Sequence, residues 1–513
     1  MKFTPLRFIL SPILVLLFNT SFAQEAWTLA SCVEYAKAHN LDIQKAGNSV
    51  KNIEVQELQS KLAFLPTANL NGGYYWNFGL TIDPISNTRQ PGSRQTFSAT
   101  AAGNWTLLSG GRNLFQLQQA RMNRVAALYQ FEEVKNNVSL NIASAYLQII
   151  VNLQLEEVAQ GQLTTSIQSL ERTKLLFDNG AISKDDYLQS VAQMRNDQGN
   201  VTSAVNAVLL SKLQLYQILQ LESDFENFEI AMPALDLDAL SMSGYNSNAL
   251  KNDAVSKQPS VRAAVANAES AKYGIRLAES GRYPTLFFLA QLNSNYVQGL
   301  PYFTDYYQLT TYSLVENPVT GSIEQIPQQI TVPDVGSKID YTLGNQLNDN
   351  WNQFIGLGFQ IPLFNGGVTH ANVQRAKIQE NNAVLDLKQS ELAVRQTIER
   401  AYVDATNSLA LYQAANASAD ASNEALTNAQ FNYDEGVISA FDLGLSKNQF
   451  LAAKSREIQS KFDYLFKVKV LEFYLFNQIT LNISSYENQL KSHHSHCHSI
   501  DWRINSSEEK RMD

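Results

Sequence analysis

The feature that most restricts this chain is that it repeats itself. Phe177-Asp178-Asn179-Gly180-Ala181-Ile182-Ser183 recurs as Tyr433-Asp434-Glu435-Gly436-Val437-Ile438-Ser439, and Leu108-Ser109-Gly110-Gly111 recurs as Phe364-Asn365-Gly366-Gly367. Both pairs share an offset of 256 residues, the separation of Gly180 and Gly436, and Ala145-Tyr146 matches Ala401-Tyr402 at the same offset. No net insertion therefore separates the Gly-Gly pair from the later turn in either copy. Upstream, Pro66 matches Pro284 and Ala36 matches Ala254 at an offset of 218, so the second copy has gained 38 residues (256 less 218). The gain falls near residues 296–350, a stretch that holds Pro301, Pro318, Pro327 and Pro333. A fixed repeat means two copies of one supersecondary unit stacked together, which a reading as one continuous domain would miss.

Each copy contains a very long helical hairpin. From Gly111 to about Asn179 there is no proline, and apolar residues such as Val138, Ile142, Ala145 and Ile149 recur at helical spacing. Roughly 68 residues at 1.5 Å rise give a helix on the order of 100 Å. A second helix is expected from about Ser183 to Leu221, with counterparts over Gly367–Glu435 and Ser439–Phe476. Gly180 and Gly436 stand where a left-handed helix end is wanted, and Ser183 and Ser439 follow as N-caps. Asp186 and Asp442, one turn into the outgoing helices, complement the positive helix N-terminus. The helices are rich in Ala, Ser, Asn and Gln and poor in Leu heptads, which suits close packing with one face toward water better than a dry two-stranded coiled coil.

Between the short upstream helix and the long one, the period changes to two. Over Ala68–Leu80 the even positions read Ala, Leu, Gly, Tyr, Trp, Phe, Leu, while the odd ones read Asn, Asn, Gly, Tyr, Asn, Gly. Phe97, Ala99, Ala101, Gly103, Trp105 and Leu107 alternate with Thr96, Ser98, Thr100, Ala102, Asn104 and Thr106. The second copy repeats this over about 284–297, blurred by Phe287 and Leu289, and over about 350–363. Such lengths, with aromatic-rich faces opposite Asn, Gly and Thr, fit transmembrane strands around a wet lumen; a soluble sheet packed on a core is the alternative. Four strands cannot close a barrel with a lumen, which takes about eight. Open edges in lipid leave backbone groups unpaired at several kcal/mol each, so partner chains must complete the wall, and three copies supply twelve strands.

The ends and the charge remove other classes. Lys2 and Arg7 precede the apolar run Phe8–Phe18 and the small-residue site Ser21-Phe22-Ala23, the pattern of a secretory signal cleaved after Ala23; Gln24 in place of Cys speaks against a lipid anchor. Loss of those two cations takes the net charge from −9 to about −11, and no Lys/Arg cluster with interleaved aromatics exists, so nucleic acid is not an expected partner. Cys32 and Cys497 lie too far apart to frame a disulfide scaffold. No run of about 18 apolar residues follows residue 23, so a membrane-crossing chain must cross with strands. Gly-x-Ser-x-Gly, His-Glu-x-x-His and the phosphate loop are all missing, and neither an enzyme activity nor a cofactor is expected.

From Trp27-Thr28-Leu29 to about Phe476 the residues resemble the TolC-like outer membrane efflux protein family. The carriers are Trp27-Thr28-Leu29 with Cys32-Val33-Glu34-Tyr35-Ala36, the prolines Pro66 and Pro284 before strands, Leu363-Phe364-Asn365-Gly366-Gly367, and the paired Gly-x-x-Ser turns. Each is weak alone; their order, duplicated at constant spacing, is specific. The resemblance implies a mainly α fold with a membrane β-barrel: a homotrimer with a twelve-stranded β-barrel in the outer membrane, four strands per chain, continued by a long periplasmic α-helical barrel. It implies a signal peptide at 1–23, a first repeat at 24–221, an equatorial segment at 222–249, a second repeat at 250–477 and a second equatorial segment plus a disordered tail at 478–513.

The resemblance also implies partners, a periplasmic adaptor and an inner membrane transporter, with energy coming from the transporter. The hairpin ends are the parts presented to the inner membrane, which makes Gly180, Ile182, Ser183, Gly436, Ile438 and Ser439 the adaptor-contact candidates; the alternative is helix capping alone. The family's closed tunnel entrance carries acidic side chains near the end of the long second-repeat helix, and Asp420 and Glu424, on one helical face, match by position. A threefold carboxylate ring would attract cations there; a solvated face is the alternative. His493, His494, His496 and His498 lie beyond the resemblance in a tail read as disordered, with a metal role the other reading. The leading function is the outer membrane duct of a tripartite efflux pump. The alternatives are the duct of type I protein secretion, a structural coiled-coil protein, or a surface receptor using the inserted segment Leu300–Gly344.

Overall fold

The computed structural model describes residues 26–82, 88–222, 225–232, 245, 248–316, 318–319 and 321–476. Along the chain these form α1 (Leu29–His39), α2 (Leu41–Leu62), β1 (Thr67–Ile82), β2 (Arg89–Ser109), α3 (Arg112–Asp178), α4 (Lys184–Leu219), α5 (Asn248–Lys257), α6 (Pro259–Ser280) and β3 (Thr285–Val297). There follow β4 (Pro301–Phe303), β5 (Tyr306–Glu316), β6 (Ile323–Pro333), β7 (Lys338–Asp340), α7 (Leu343–Asp349), β8 (Asn352–Gln360), α8 (Val368–Asp434) and α9 (Ala440–Phe476). α3 and α8 have 67 residues each, the equality that a constant 256-residue offset requires. The signal segment, the His-containing tail and most of residues 222–249 lie outside the described residues.

Among the described residues, two compact units each draw on both copies of the repeat: those within 1–49, 128–263 and 388–513 form one, and those within 50–127 and 264–387 form the other. The first is helical. Its core gathers Cys32 and Ala36 of α1, Ile142, Tyr146, Ile149 and Ile150 of α3, Leu215 and Leu219 of α4, and Phe462 and Leu465 of α9. Thr28 starts α1 with a reciprocal capping box to Ser31. Just before it, the Trp27 N–H donates to the Glu229 carbonyl at 2.8 Å and the Ala231 N–H donates to the Trp27 carbonyl at 2.9 Å. The Tyr146 hydroxyl, buried below this bridge, donates toward the carbonyls of Ala231 (2.5 Å) and Trp27 (3.1 Å). Burial pushes both the Cys32 thiol and the Tyr146 phenol up to about 12, so the cysteine stays a protonated, unreactive packing residue. By length and composition α3 is apolar enough to cross a membrane, but half of that window is buried within the chain, as a core helix requires.

The second unit holds the sheet, antiparallel throughout, in the order β1-β2-β3-β8. The Trp105 indole N–H donates to the Phe64 carbonyl at 2.8 Å and Asn113 donates to Ala63 at 3.0 Å, tying the end of α2 to β2 and α3. Phe287, which blurred the alternation of β3, pairs with Gly358, where a Cβ would come within 2.4 Å of the Phe287 ring. The aromatic side chain fills the space that the glycine leaves, and the β3–β8 register runs unbroken past it, while on the other side β2 shifts register between Thr106 and Leu108.

The inserted residues carry structure that the alternation of the sequence did not resolve. β4 pairs with β7, β5 pairs with β6 over eleven rungs, and α7 packs on β3. Gln346 of α7, fully buried, accepts from the Val297 N–H at 2.9 Å and donates to the carbonyls of Val297 (3.0 Å) and Tyr341 (2.8 Å). Its amide stands in for a strand's peptide group at the end of β3, where β8 has no residue to offer.

Candidate functional site

The sheet separates two chemistries by its pleat. Directly opposed residues share a face, so Leu70, Ala101 and Leu292 form one row, Trp105, Phe288 and Leu357 another, and Leu286 with Phe359 a third. On this face Leu70, Ile355, Leu357 and Phe359 are 79, 73, 69 and 74% exposed. The opposite face carries Asn71, Thr100, Asn293 and Asn352 in one row and Gly73, Ser98 and Asn295 in the next. Apolar exposure on this scale, across a continuous sheet, is the mark of a surface covered by lipid or by another chain. The outer edges of β1 and β8 find no strand partner among the described residues.

At the ends of the helical hairpins, Gly180 has φ +72° and Gly436 has φ +73°, the left-handed conformation that closes a helix C-terminus. The Ser183 hydroxyl accepts from the Asp186 N–H at 3.2 Å and donates to the Asp186 carboxylate at 2.7 Å. Ser439 and Asp442 repeat the pattern, with the Asp442 carboxylate also accepting the Ser439 N–H at 3.2 Å. Both glycines and both serines are exposed, while Ile182 and Ile438 are half-buried. Asp420 and Glu424 are exposed on α8, and Asn416 donates to the Asp420 carboxylate at 3.3 Å.

Just inside the hairpin ends lies a polar cluster that the sequence reading missed. Arg172 of α3 reaches Asp434 of α8 at 2.6 Å. Nearby, a cavity of about 260 Å³ is lined by Ser166, Ser190, Gln193, Tyr433, Leu443 and Lys447. Lys447 is 4% exposed, and Asp197, 1% exposed, accepts from Ser166 and from Gln193 at 3.2 Å. Burial pulls the Lys447 ammonium below the usual lysine range, against the opposing pull of Asp197 and Asp434. The signal was available in the repeat: at the 256-residue offset Lys447 stands where the first copy has Val191, and Asp197 where the second has Ala453. A charge facing an apolar residue at equivalent helical positions marks where the two hairpins have parted in role. Among the described residues, no cluster of three or more His, Cys, Asp or Glu is placed to hold a metal ion; His493, His494, His496 and His498 lie outside them.

The chain matches the outer membrane efflux protein family over residues 32–220 and 325–475, which takes in both helical hairpins. It belongs to that family. The matched stretches leave out α5, α6, β3 and the first half of the insertion, through β5. Outer membrane protein TolC of Escherichia coli is 24% identical over 468 residues, 89% of this chain and 84% of the relative. The Campylobacter jejuni CmeC outer membrane channel shares the fold with a TM-score of 0.67 at 15% identity, over 90% of this chain and 88% of that one. The Neisseria gonorrhoeae MtrE outer membrane channel, in its open state, gives 0.63 at 14% identity, over 87 and 88%. These channels share the fold seen here, which contains a four-stranded antiparallel sheet and two long helical hairpins.

Proposed function

We propose that this chain is the outer membrane duct of a tripartite efflux pump, conducting solutes passively from periplasm to exterior as a homotrimer. The observation that carries the reading is the sheet: four strands with an exposed apolar face, an opposite face bearing rows of Asn, Thr and Ser and, among the described residues, two unpaired edges, in a member of the outer membrane efflux family that also holds two 67-residue helices. One copy cannot satisfy its own backbone in lipid, and three copies joined β1 to β8 close a twelve-stranded wall. The polar face then lines the lumen. The repeats at 24–221 and 250–477 supply four helical columns per chain below the barrel.

The hairpin ends bear the adaptor contacts in this reading. Ile182 and Ile438 offer apolar contact between the exposed caps Gly180-Ser183 and Gly436-Ser439, and capping and docking are compatible because the caps use backbone groups and hydroxyls that face their own helices. Asp420 and Glu424, repeated threefold, form a cation-attracting ring at the periplasmic entrance. The energy comes from an inner membrane transporter, reached through the adaptor, and no covalent step is assigned to this chain.

The test is expression in an outer membrane duct deletion strain together with its own adaptor and transporter. The full chain restores dye efflux, and the Gly180→Trp, Gly436→Trp double variant reaches the outer membrane as a trimer without restoring efflux. Material that purifies from detergent as a stable single chain, or that forms no channels in planar bilayers, overturns the proposal.

A further inference from the structure

The insertion between β3 and β8 ends in a β-ladder that has no core of its own. β5 and β6 pair over eleven rungs and, among the described residues, neither pairs with any other strand. On one face Tyr306, Tyr312, Leu314 and Ile323 are 59, 60, 68 and 69% exposed; on the other Tyr307, Leu309, Ile326 and Ile330 are 51, 46, 47 and 42% exposed. An isolated two-stranded ladder is marginal in water and needs a sheet or helix to pack against. Yet its base is firmly held: Gln346 locks α7 to the end of β3, and the Asp334 N–H donates to the Asp305 carbonyl at 2.9 Å across the foot of the ladder. A rigidly mounted, apolar, uncovered ladder is built to be covered by something else.

The same end of the sheet offers a second uncovered element. β1 and β2 pair for sixteen rungs, but β3 stops at Val297, opposite Thr96, and after it only the Gln298 N–H donates to the Gln95 carbonyl at 2.8 Å, so among the described residues the stretch Trp76–Ile82 with Arg89–Arg94 has no third strand beside it. Trp76, Phe78, Leu80 and Ile82 there are 59, 80, 73 and 56% exposed. β8 has nine residues against the sixteen of β1, so in any register at least seven residues of a β1 edge outrun a neighbouring β8. At about 3.3 Å per residue that is about 23 Å of uncovered edge. Because the chain enters β8 directly from the insertion, whatever lies above a neighbour's β8 along that edge is the neighbour's insertion.

Charge points the same way. Residues 306–333 contain no Lys, Arg or His and carry Glu316 and Glu324. The β1–β2 projection contributes Arg89, which pairs with Ile82 and so shares the face of Trp76, Phe78 and Leu80, while Glu316, paired with Ile323, shares the face of Tyr312 and Leu314; Arg89 makes no ion pair within the described residues. We propose that the β5–β6 ladder of one protomer covers the β1–β2 projection of its neighbour, the Tyr312–Leu314 face against the Phe78–Leu80 face with Glu316 toward Arg89, so that three ladders form an interlocked crown at the rim of the barrel. This rests on the trimeric duct reading. The occupant is thus a second copy of this chain, and β6, broken by Pro327 and Pro333, leaves β5 as the ladder edge with a full set of backbone donors.

The experiment places the photo-cross-linker p-benzoylphenylalanine at Tyr312, at Leu314 and, separately, at Ile355 of β8 in the full chain, irradiates intact cells, and maps products by mass spectrometry. Cross-links from positions 312 and 314 to residues 76–82 or 89–94 of another copy, together with loss of those cross-links in Glu316→Lys and their return when Arg89→Glu is added, support the crown. If Ile355 links copies through β1 while 312 and 314 link only within one chain, to another protein, or not at all, the crown is wrong and the trimer stands. Failure of Ile355 to link copies overturns the duct reading, and the crown with it.

Discussion

Replacing Leu357 by arginine separates a lipid-facing sheet from a water-facing one by a single free energy. Leu357 lies near the middle of β8, opposite Phe288, in the row that also holds Trp105, and is 69% exposed in the isolated chain. If that face met water, exchange of an exposed leucine for arginine would stay within about 0.5 kcal/mol. If it meets hydrocarbon, arginine near the midplane of a membrane barrel costs about 2–4 kcal/mol per chain, hence roughly 6–12 kcal/mol for three copies. Asn71→Arg is the matched control: it adds the same side chain to the polar face, opposite Thr100 and in line with Asn293, where a wet lumen accepts it. Urea unfolding of protein folded into liposomes measures the per-chain difference, and the temperature at which the detergent-extracted trimer dissociates measures its multiple. The expected order is a large loss for Leu357→Arg and almost none for Asn71→Arg. Equal effects of the two, or a neutral Leu357→Arg, would refute the assignment of faces.

Two further outcomes probe the helical end. Lys447 is buried and its ammonium sits below the ordinary lysine value of 10.5, chiefly through desolvation; the unfolded chain therefore holds more protons between the folded value and 10.5, and stability rises with pH across that window. Lys447→Met should flatten this rise and leave the protein as stable or more stable near neutral pH, since a buried ion is exchanged for a hydrophobe of similar size; chemical denaturation over the alkaline range reads both. Asp420→Ala with Glu424→Ala should raise single-channel conductance in planar bilayers and weaken any block by divalent cations, and an unchanged conductance removes those residues from the entrance.

Legibility followed periodicity. The period of two over Ala68–Leu80 and Thr96–Leu107 falls within β1 and β2, and the apolar positions of β1 stand exposed. The 256-residue offset carried the equal lengths of α3 and α8. The insertion was harder to read because its strands are spaced by prolines and expose both faces, so neither an apolar nor a polar side stands out; Tyr306–Glu316 and Ile323–Pro333 have mixed residues on each. Gln346 was invisible for another reason: a glutamine acting as a surrogate peptide group leaves no pattern in composition or spacing, and only the end of a neighbouring strand shows what it satisfies. The polar cluster behind the hairpin ends escaped because its members come from four helices, and each is an ordinary helical residue by itself.

That cluster shows what duplication leaves undetermined. Two copies of one hairpin, if identical, would pack with equivalent contacts and have no reason to move apart. Here the second copy holds Lys447 where the first holds Val191, and the first holds Asp197 where the second holds Ala453, so each hairpin offers to the other a charge that its own counterpart lacks. Arg172 and Asp434 extend the asymmetry, since Asn428 stands at the position equivalent to Arg172. A buried lysine whose charge is opposed by desolvation contributes little net stability, but it penalises any packing that moves it away from its carboxylates. The polar cluster therefore specifies one relative placement of α4 and α9, while the apolar contacts around it supply the stability. A helical end built in this way holds one defined arrangement that its apolar contacts alone would not select.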